Sequence, residues 1–449
     1  MTAISLGLEG TLGTNGGVAP REVRATPYAW YLAGLLAVAH LVSFVDRYVM
    51  SLLIEPIRMS FGLSDTQLGM LTGGAFALLY AAAALPLGRL ADIRSRRMLI
   101  ACGLTVWSMA TAACALADSF GGLFGARLLV GVGEAALVPA AMSLLGAYFA
   151  RDQMGRAISM FTMGAALGKA TALIGGAMLL AALTPAGLVL LGYALLPWQA
   201  VFLAAATLGL ILVPFTLTIV EPARHSNVGA PTLADALRHM RRHLRAFVPH
   251  IIAACSTILL VQAFGAWSPA YFARERGFSI VDAGFAVGMV SLAAQPIGNL
   301  FGGWATDRLT RKGAKGPAIT VILCGMTCAV PCALLLVTLP DGALPLFALG
   351  ALLFSVSTTA GPCLAGLQAL TPAEHRGAVT SVYMCSMTLV AVGLGPVIVG
   401  MASDYFGSGK GGLGVALGFV TVVVATIGIS AALIGRGAVA RVVATLDRG

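Results

Sequence analysis

The chain has 449 residues, of which 58% are hydrophobic and 10% charged, with a formal net charge of +10. Soluble domains carry roughly 25% charged residues, so this composition, with a mean hydropathy of +0.91, excludes a water-soluble enzyme and points to the bilayer. The basic excess would suit nucleic acid as a partner unless membrane topology accounts for it, and the distribution of charge along the chain decides between them.

Residues 1–27 lack the charged-then-apolar order of a cleaved signal peptide and are expected to form a disordered cytoplasmic tail. Twelve apolar segments long enough to span follow, near 28–54, 66–88, 98–117, 122–148, 156–181, 198–220, 248–272, 281–304, 317–338, 343–370, 377–402 and 412–434. This predicts an all-α integral membrane protein of two six-helix bundles, 28–220 and 248–434, with a tail from 435 to 449. With cytoplasmic termini, 21 of the 28 Lys and Arg residues fall on the cytoplasmic side. That is the positive-inside pattern, and it makes nucleic acid unnecessary.

The first span carries His40, Asp46 and Arg47, the fourth Arg127 and Glu134, and the fifth Lys169. Each ionisable group at the bilayer centre costs about 2.5–3.5 kcal/mol or more unless paired or hydrated, so this set is the sharpest functional signal. Arg127, Gly131 and Glu134 share a helix face. A purely structural ion network is the competing reading, and for His40 that reading is a hydrogen-bonded helix-contact histidine. A proton is expected to exchange on Asp46 or Glu134, with Arg47 and Arg127 as partners and Asp46 as the main coupling group. Lys169 is expected to face the cavity and to pair with Glu134, Asp46 or an anionic substrate.

The second span ends in Gly88-Arg-Leu-Ala-Asp92-Ile-Arg94-Ser-Arg96-Arg97, and 215 residues later Gly303-Trp-Ala-Thr-Asp307-Arg308-Leu-Thr-Arg311-Lys312 repeats it. Gly62-Leu-Ser returns at the same offset as Gly277-Phe-Ser. The chain is therefore two copies of one unit, an architecture common among membrane transporters. Gly88, Asp92, Arg96, Arg97, Gly303, Asp307 and Arg311 read as a cytoplasmic latch that holds helix ends in one state and releases them in another.

Residues 221–247 form the linker. Pro231, Thr232 and Asp235 read as a helix start, and Leu233, Leu237, Met240, Leu244 and Phe247 as an apolar stripe lying in lipid, opposed by Arg238, Arg241, Arg242 and Arg245 near anionic headgroups, with a docked regulatory partner as the alternative. The second half offers neutral polar groups for a cavity, chiefly Gln262, Asn299, Thr358 and Tyr383, with helices one, four, seven and ten as its walls. Cys324, Cys328 and Cys332 share one face of the ninth helix, a pattern for small-residue packing more than for a thiol metal site. Neither a nucleophile motif nor a metal constellation is present, so no cofactor and no enzyme activity are expected.

The basic loops, Arg127-x-x-x-Gly131-x-Gly133 and Pro197-Trp198-Gln-Ala-Val-Phe202 resemble the major facilitator superfamily over residues 28–434. Within it, Phe44-Val-Asp46-Arg47-Tyr48, Gly131-Val-Gly-Glu134-Ala135 and Gly393-Leu-Gly-Pro396 through Asp404 resemble the Spinster group of lipid and amphiphile transporters. Ser43 and Lys169 depart from that group's pattern. The resemblance implies proton coupling and conformational roles for Asp46, Arg47 and Glu134. It implies a monomeric secondary transporter in a bacterial inner membrane, moving an amphipathic organic anion with protons and contacting membrane lipids. Proton symport of a small organic or aromatic acid is the alternative, and a transporter-like receptor a more distant one.

Overall fold

The computed structural model describes residues 26–446 except 184–187, 191, 223–232, 315 and 408–410. The expected N-terminal tail and the helix start at Pro231 and Thr232 lie outside the described residues, as does the Asp92 side chain. Among the described residues, twelve helices are long and apolar enough to span: α1 (Pro27–Leu52), α2 (Asp65–Ala91), α3 (Arg96–Ala115), α4 (Phe120–Tyr148), α5 (Gln153–Ala182) and α6 (Pro197–Thr216) in the first half, then α7 (Leu244–Glu275), α8 (Ile280–Arg311), α9 (Pro317–Thr338), α10 (Leu344–Ala369), α11 (Arg376–Phe406) and α12 (Gly412–Leu446) in the second. Each expected span has its helix. The residues from 435, expected as a tail, continue α12 to Leu446. Its 35 residues measure about 52 Å at ~1.5 Å per residue, well beyond the ~30 Å apolar core.

The second repeat has a local cause. Gly62 (φ 64°) and Gly277 (φ 71°) take the left-handed conformation. Two residues on, Ser64 and Ser279 cap the starts of α2 and α8, accepting from the backbone of Gln67 and Asp282. A short antiparallel hairpin, β1 (Leu188–Leu190) and β2 (Tyr193–Leu195), occupies the connection from α5 to α6 and was not foreseen.

The linker helix (Leu233–Arg242) forms, but its apolar stripe is divided. Ala236 and Met240 pack into the second bundle's core, and His239 Nε2 lies 3.0 Å from Leu370 O. Leu237 and Leu244 remain exposed, and Phe247 belongs to α7. The stripe expected in lipid thus serves protein packing on one edge and the surface on the other.

The halves meet at the end remote from the termini, through α2 with α11, α5 with α8, and α1 with α7. A Cβ placed on Gly69 would stand 2.6 Å from Pro396 O, and one on Gly73 2.6 Å from Val392 O, so only glycine admits the α2–α11 approach. Three of the four helices in the first two contacts carry a π-helical segment there: Met70–Gly74 in α2, Thr171–Gly175 in α5 and Met387–Leu394 in α11. Such widened turns recur at functional hinges.

Candidate functional site

Neighbouring helical residues point about 100° apart, and this separates Asp46 from Arg47. Arg47 Nη2 donates to Glu134 Oε2 at 2.8 Å, and Ser43 Oγ, one turn earlier on the same face, donates to the same oxygen at 2.8 Å. The guanidinium also lies over the rings of Phe76 (4.2 Å) and Phe44 (4.8 Å). Asp46 turns into the first bundle and is 0% exposed, with the Thr111 hydroxyl and the Arg127 guanidinium as its polar neighbours. Of the two carboxylates expected to share Arg47, Glu134 takes it, and Asp46 has no ion pair among the described residues.

Arg127, also 0% exposed, reaches across to two backbones. Its Nε donates to Leu71 O at 3.3 Å and its Nη1 to the main-chain oxygen of Asp46 at 3.2 Å. It ties α4 to α1 and α2 through carbonyls instead of through the Asp46 carboxylate. Glu134 Oε1 and Arg127 Nη2 are buried polar atoms without a partner among the described residues.

Lys169 sits where α5, α1 and α7 converge. Its ammonium is buried without a hydrogen-bond partner, 4.9 Å from the centre of the Tyr48 ring and beside Gly265. Neither Glu134 nor Asp46 reaches it as an ion pair, and among the described residues no other carboxylate does. Tyr48 O–H donates to Gln262 Oε1 at 3.0 Å, joining the two halves at this level. Helix five thus meets helices one and seven at this level.

His40 stands apart from the ion cluster. Its Nδ1 lies 3.0 Å from Phe161 O, and its ring stacks on Phe161 at 4.1 Å, the arrangement of a helix-contact histidine.

The four polar groups assigned to the cavity divide. Gln262 faces the first half. Asn299 is exposed on α8, three turns beyond Gly288, on the face that meets α5 at the distal end. Thr358 instead donates to Ser355 O at 2.7 Å under the close approach of Gly302 and Gly325. Tyr383 is buried in the second bundle near Cys255 and Cys363. Both pack helices: a Thr hydroxyl can satisfy itself on its own helix, and a Tyr ring fills core volume.

The latch motif marks the end of the bundle where the halves part. Gly88 and Gly303 lie near the ends of α2 and α8, and Asp307 and Arg311 are exposed. Arg96 and Arg97 open α3, whose start is capped by Glu221 through Ser95 Oγ and the Arg97 N–H (2.7 Å). Every hydrogen bond and ion pair described between the halves lies at mid-bundle or at the distal end.

That distal seal was not anticipated. Arg274 of α7 donates to both oxygens of Asp65 (2.7 and 3.1 Å) and to Glu55 from Nε (3.0 Å) and Nη2. Ser403 Oγ of α11 donates to Asp65 Oδ2 at 2.6 Å. Asp404 accepts from the backbone N–H groups of Asp65 and Thr66 (3.0 and 2.8 Å) and from the Thr66 hydroxyl, so a carboxylate of one half caps a helix of the other. In sequence these looked like ordinary charges at span ends. Asp404, closing the eleventh-helix motif, was the one available signal.

A model of the Major Facilitator Superfamily matches residues 36–396. The chain is 27% identical over 380 residues to an MFS-type efflux pump of Mycolicibacterium smegmatis, covering 84% of this chain and 85% of that one. It is 25% identical over 318 residues to a D-galactonate transporter of Escherichia coli, covering 65% and 70%. Among solved structures, a bacterial homologue of the human lysosomal transporter Spinster, inward-facing and unoccupied, matches with TM-score 0.79 at 22% identity, over 94% of this chain and 98% of that one. That likeness speaks to the fold.

Proposed function

Since the chain belongs to the major facilitator superfamily and is a multi-pass, Spinster-like membrane transporter of organic solutes, not an enzyme, we propose that it moves an amphipathic organic anion by proton-coupled alternating access. The observation that carries this reading is Lys169. Its ammonium is buried and lacks a carboxylate partner among the described residues, a state that is costly within the bilayer unless a counter-charge arrives. The anionic group of the substrate supplies that charge. The remainder of the substrate lies among apolar and aromatic side chains, Tyr48 and Phe44 among them.

Asp46 is the proton carrier in this reading. It is sealed from solvent without an ion pair among the described residues, while Arg127 holds its main chain. Glu134, shared by Arg47 and Ser43, reports substrate and proton occupancy to α1. A proton crossing 100 mV releases about 2.3 kcal/mol, enough for roughly fiftyfold accumulation or extrusion. The basic loops support a reading with both termini in the cytoplasm, in which the Arg274–Asp65 seal is periplasmic and the cavity opens inward, in a monomer of the bacterial inner membrane.

A small organic acid is the second reading, favoured by the same lysine and by the similarity to a D-galactonate transporter. Thermal shift of the detergent-purified protein against lysolipids, sphingoid compounds and aromatic or sugar acids separates the two, since a ligand at 100 times its Kd adds about 2.7 kcal/mol. Lys169→Met should weaken binding of the responding anion by about 1.5–3 kcal/mol, the worth of a charge-assisted hydrogen bond. Normal anion binding by that variant overturns the reading.

A further inference from the structure

At the end of the bundle that carries the termini, the turn from the linker helix into α7 and the last turns of α12 enclose a cavity of about 440 Å³. Arg241, Arg242 and Arg245 line it from the turn and Arg441 from α12. None of the four has an ion-pair partner among the described residues. Asp235, the carboxylate of the adjoining hollow that shares Arg242, pairs with Arg238 at 2.9 Å. Four like charges from two separate chain segments therefore converge on one space with no carboxylate paired to them among the described residues, an arrangement that favours an anion.

The depth of the cavity selects the kind of anion. On α12, Leu433 and Ile434 are exposed on the outer surface of the bundle. Arg441 follows Ile434 by seven residues, about 10 Å further along the helix axis, which places it at headgroup level. Exposed Leu237, Leu244 and Val248 flank the arginines on the other wall. Guanidinium groups match phosphate oxygens in pairs, and the leucines offer a surface to acyl chains that a soluble anion would leave unused. We propose that this cavity is a specific site for the phosphate of an anionic phospholipid, whose headgroup joins the linker to the end of α12.

Titrating the full-length protein in detergent with short-chain phosphatidylglycerol, phosphatidylcholine of the same chains, and inorganic phosphate tests this. Saturable binding is expected for phosphatidylglycerol, with phosphatidylcholine and inorganic phosphate much weaker. Arg242→Gln/Arg441→Gln should weaken it about thirtyfold, each arginine near an anionic headgroup being worth roughly fivefold. Arg156→Gln/Lys312→Gln removes the same charge from exposed positions outside the cavity and should change it less than twofold to threefold. Equal losses in both pairs would reduce the effect to overall charge and overturn the proposal. Inorganic phosphate that binds as tightly as the lipid and displaces it would make this a soluble-anion site and overturn the lipid assignment. An unchanged thermal transition of the cavity variant without lipid separates lost binding from lost folding.

Discussion

Replacing Arg274 with methionine should open the distal end of the protein. The Arg274 side chain is 8% exposed and Asp65 0% exposed, so the pair is out of water in the sealed state. A buried charge stripped of its partner costs about 3–5 kcal/mol. Glu55 and Asp65 keep Arg58 at 3.7 and 3.9 Å, and Asp65 keeps the Ser403 hydroxyl, which puts the cost at the lower end. When the distal end opens, those carboxylates regain water, so the cost falls on the sealed state alone. A penalty of about 3 kcal/mol shifts the equilibrium roughly 150-fold toward the open state. Ala177, buried between α5 and α8 beside Gly284, reports this. As a single cysteine in a cysteine-free background, it should react slowly with an impermeant maleimide from the distal side, and much faster once Arg274→Met is added. Unchanged labelling accompanied by a lower thermal transition would refute the gate and leave the ion cluster as ordinary packing.

Gly73→Leu should act on the same equilibrium by sterics: overpacking costs about 1–3 kcal/mol against Val392 O, and the Ala177 reporter should again label faster, whereas slow labelling would place the contact outside the gating motion. Asp46→Asn should abolish uphill, proton-driven transport while downhill exchange and the thermal transition persist; undiminished accumulation by this variant would falsify its role as proton carrier. Arg94→Cys and Arg311→Cys should resist an impermeant reagent in intact cells and react in inverted vesicles, and the reverse pattern would invert the proposed orientation.

The spans, the duplication and the concentration of ionisable groups in the first half were legible in the sequence because hydropathy and charge are properties of position along the chain. The Gly-x-Ser repeat likewise carried its meaning locally, as a left-handed glycine followed by a helix cap. Partnership was not legible. Asp46 and Arg47 are adjacent in sequence, yet the turn of the helix sends one into the bundle and the other to Glu134, 87 residues away. Thr358 and Tyr383 are polar enough for a cavity wall, and only the close approach of Gly302 and Gly325 and the packing around Cys363 show that they hold helices together. The distal seal joins Arg274 to Asp65 across 209 residues, and Asp404 to the start of α2 across 339. Charges at span ends look alike in one dimension; which of them meet depends on the conformational state in which the two halves are packed, and that is decided by tertiary structure alone.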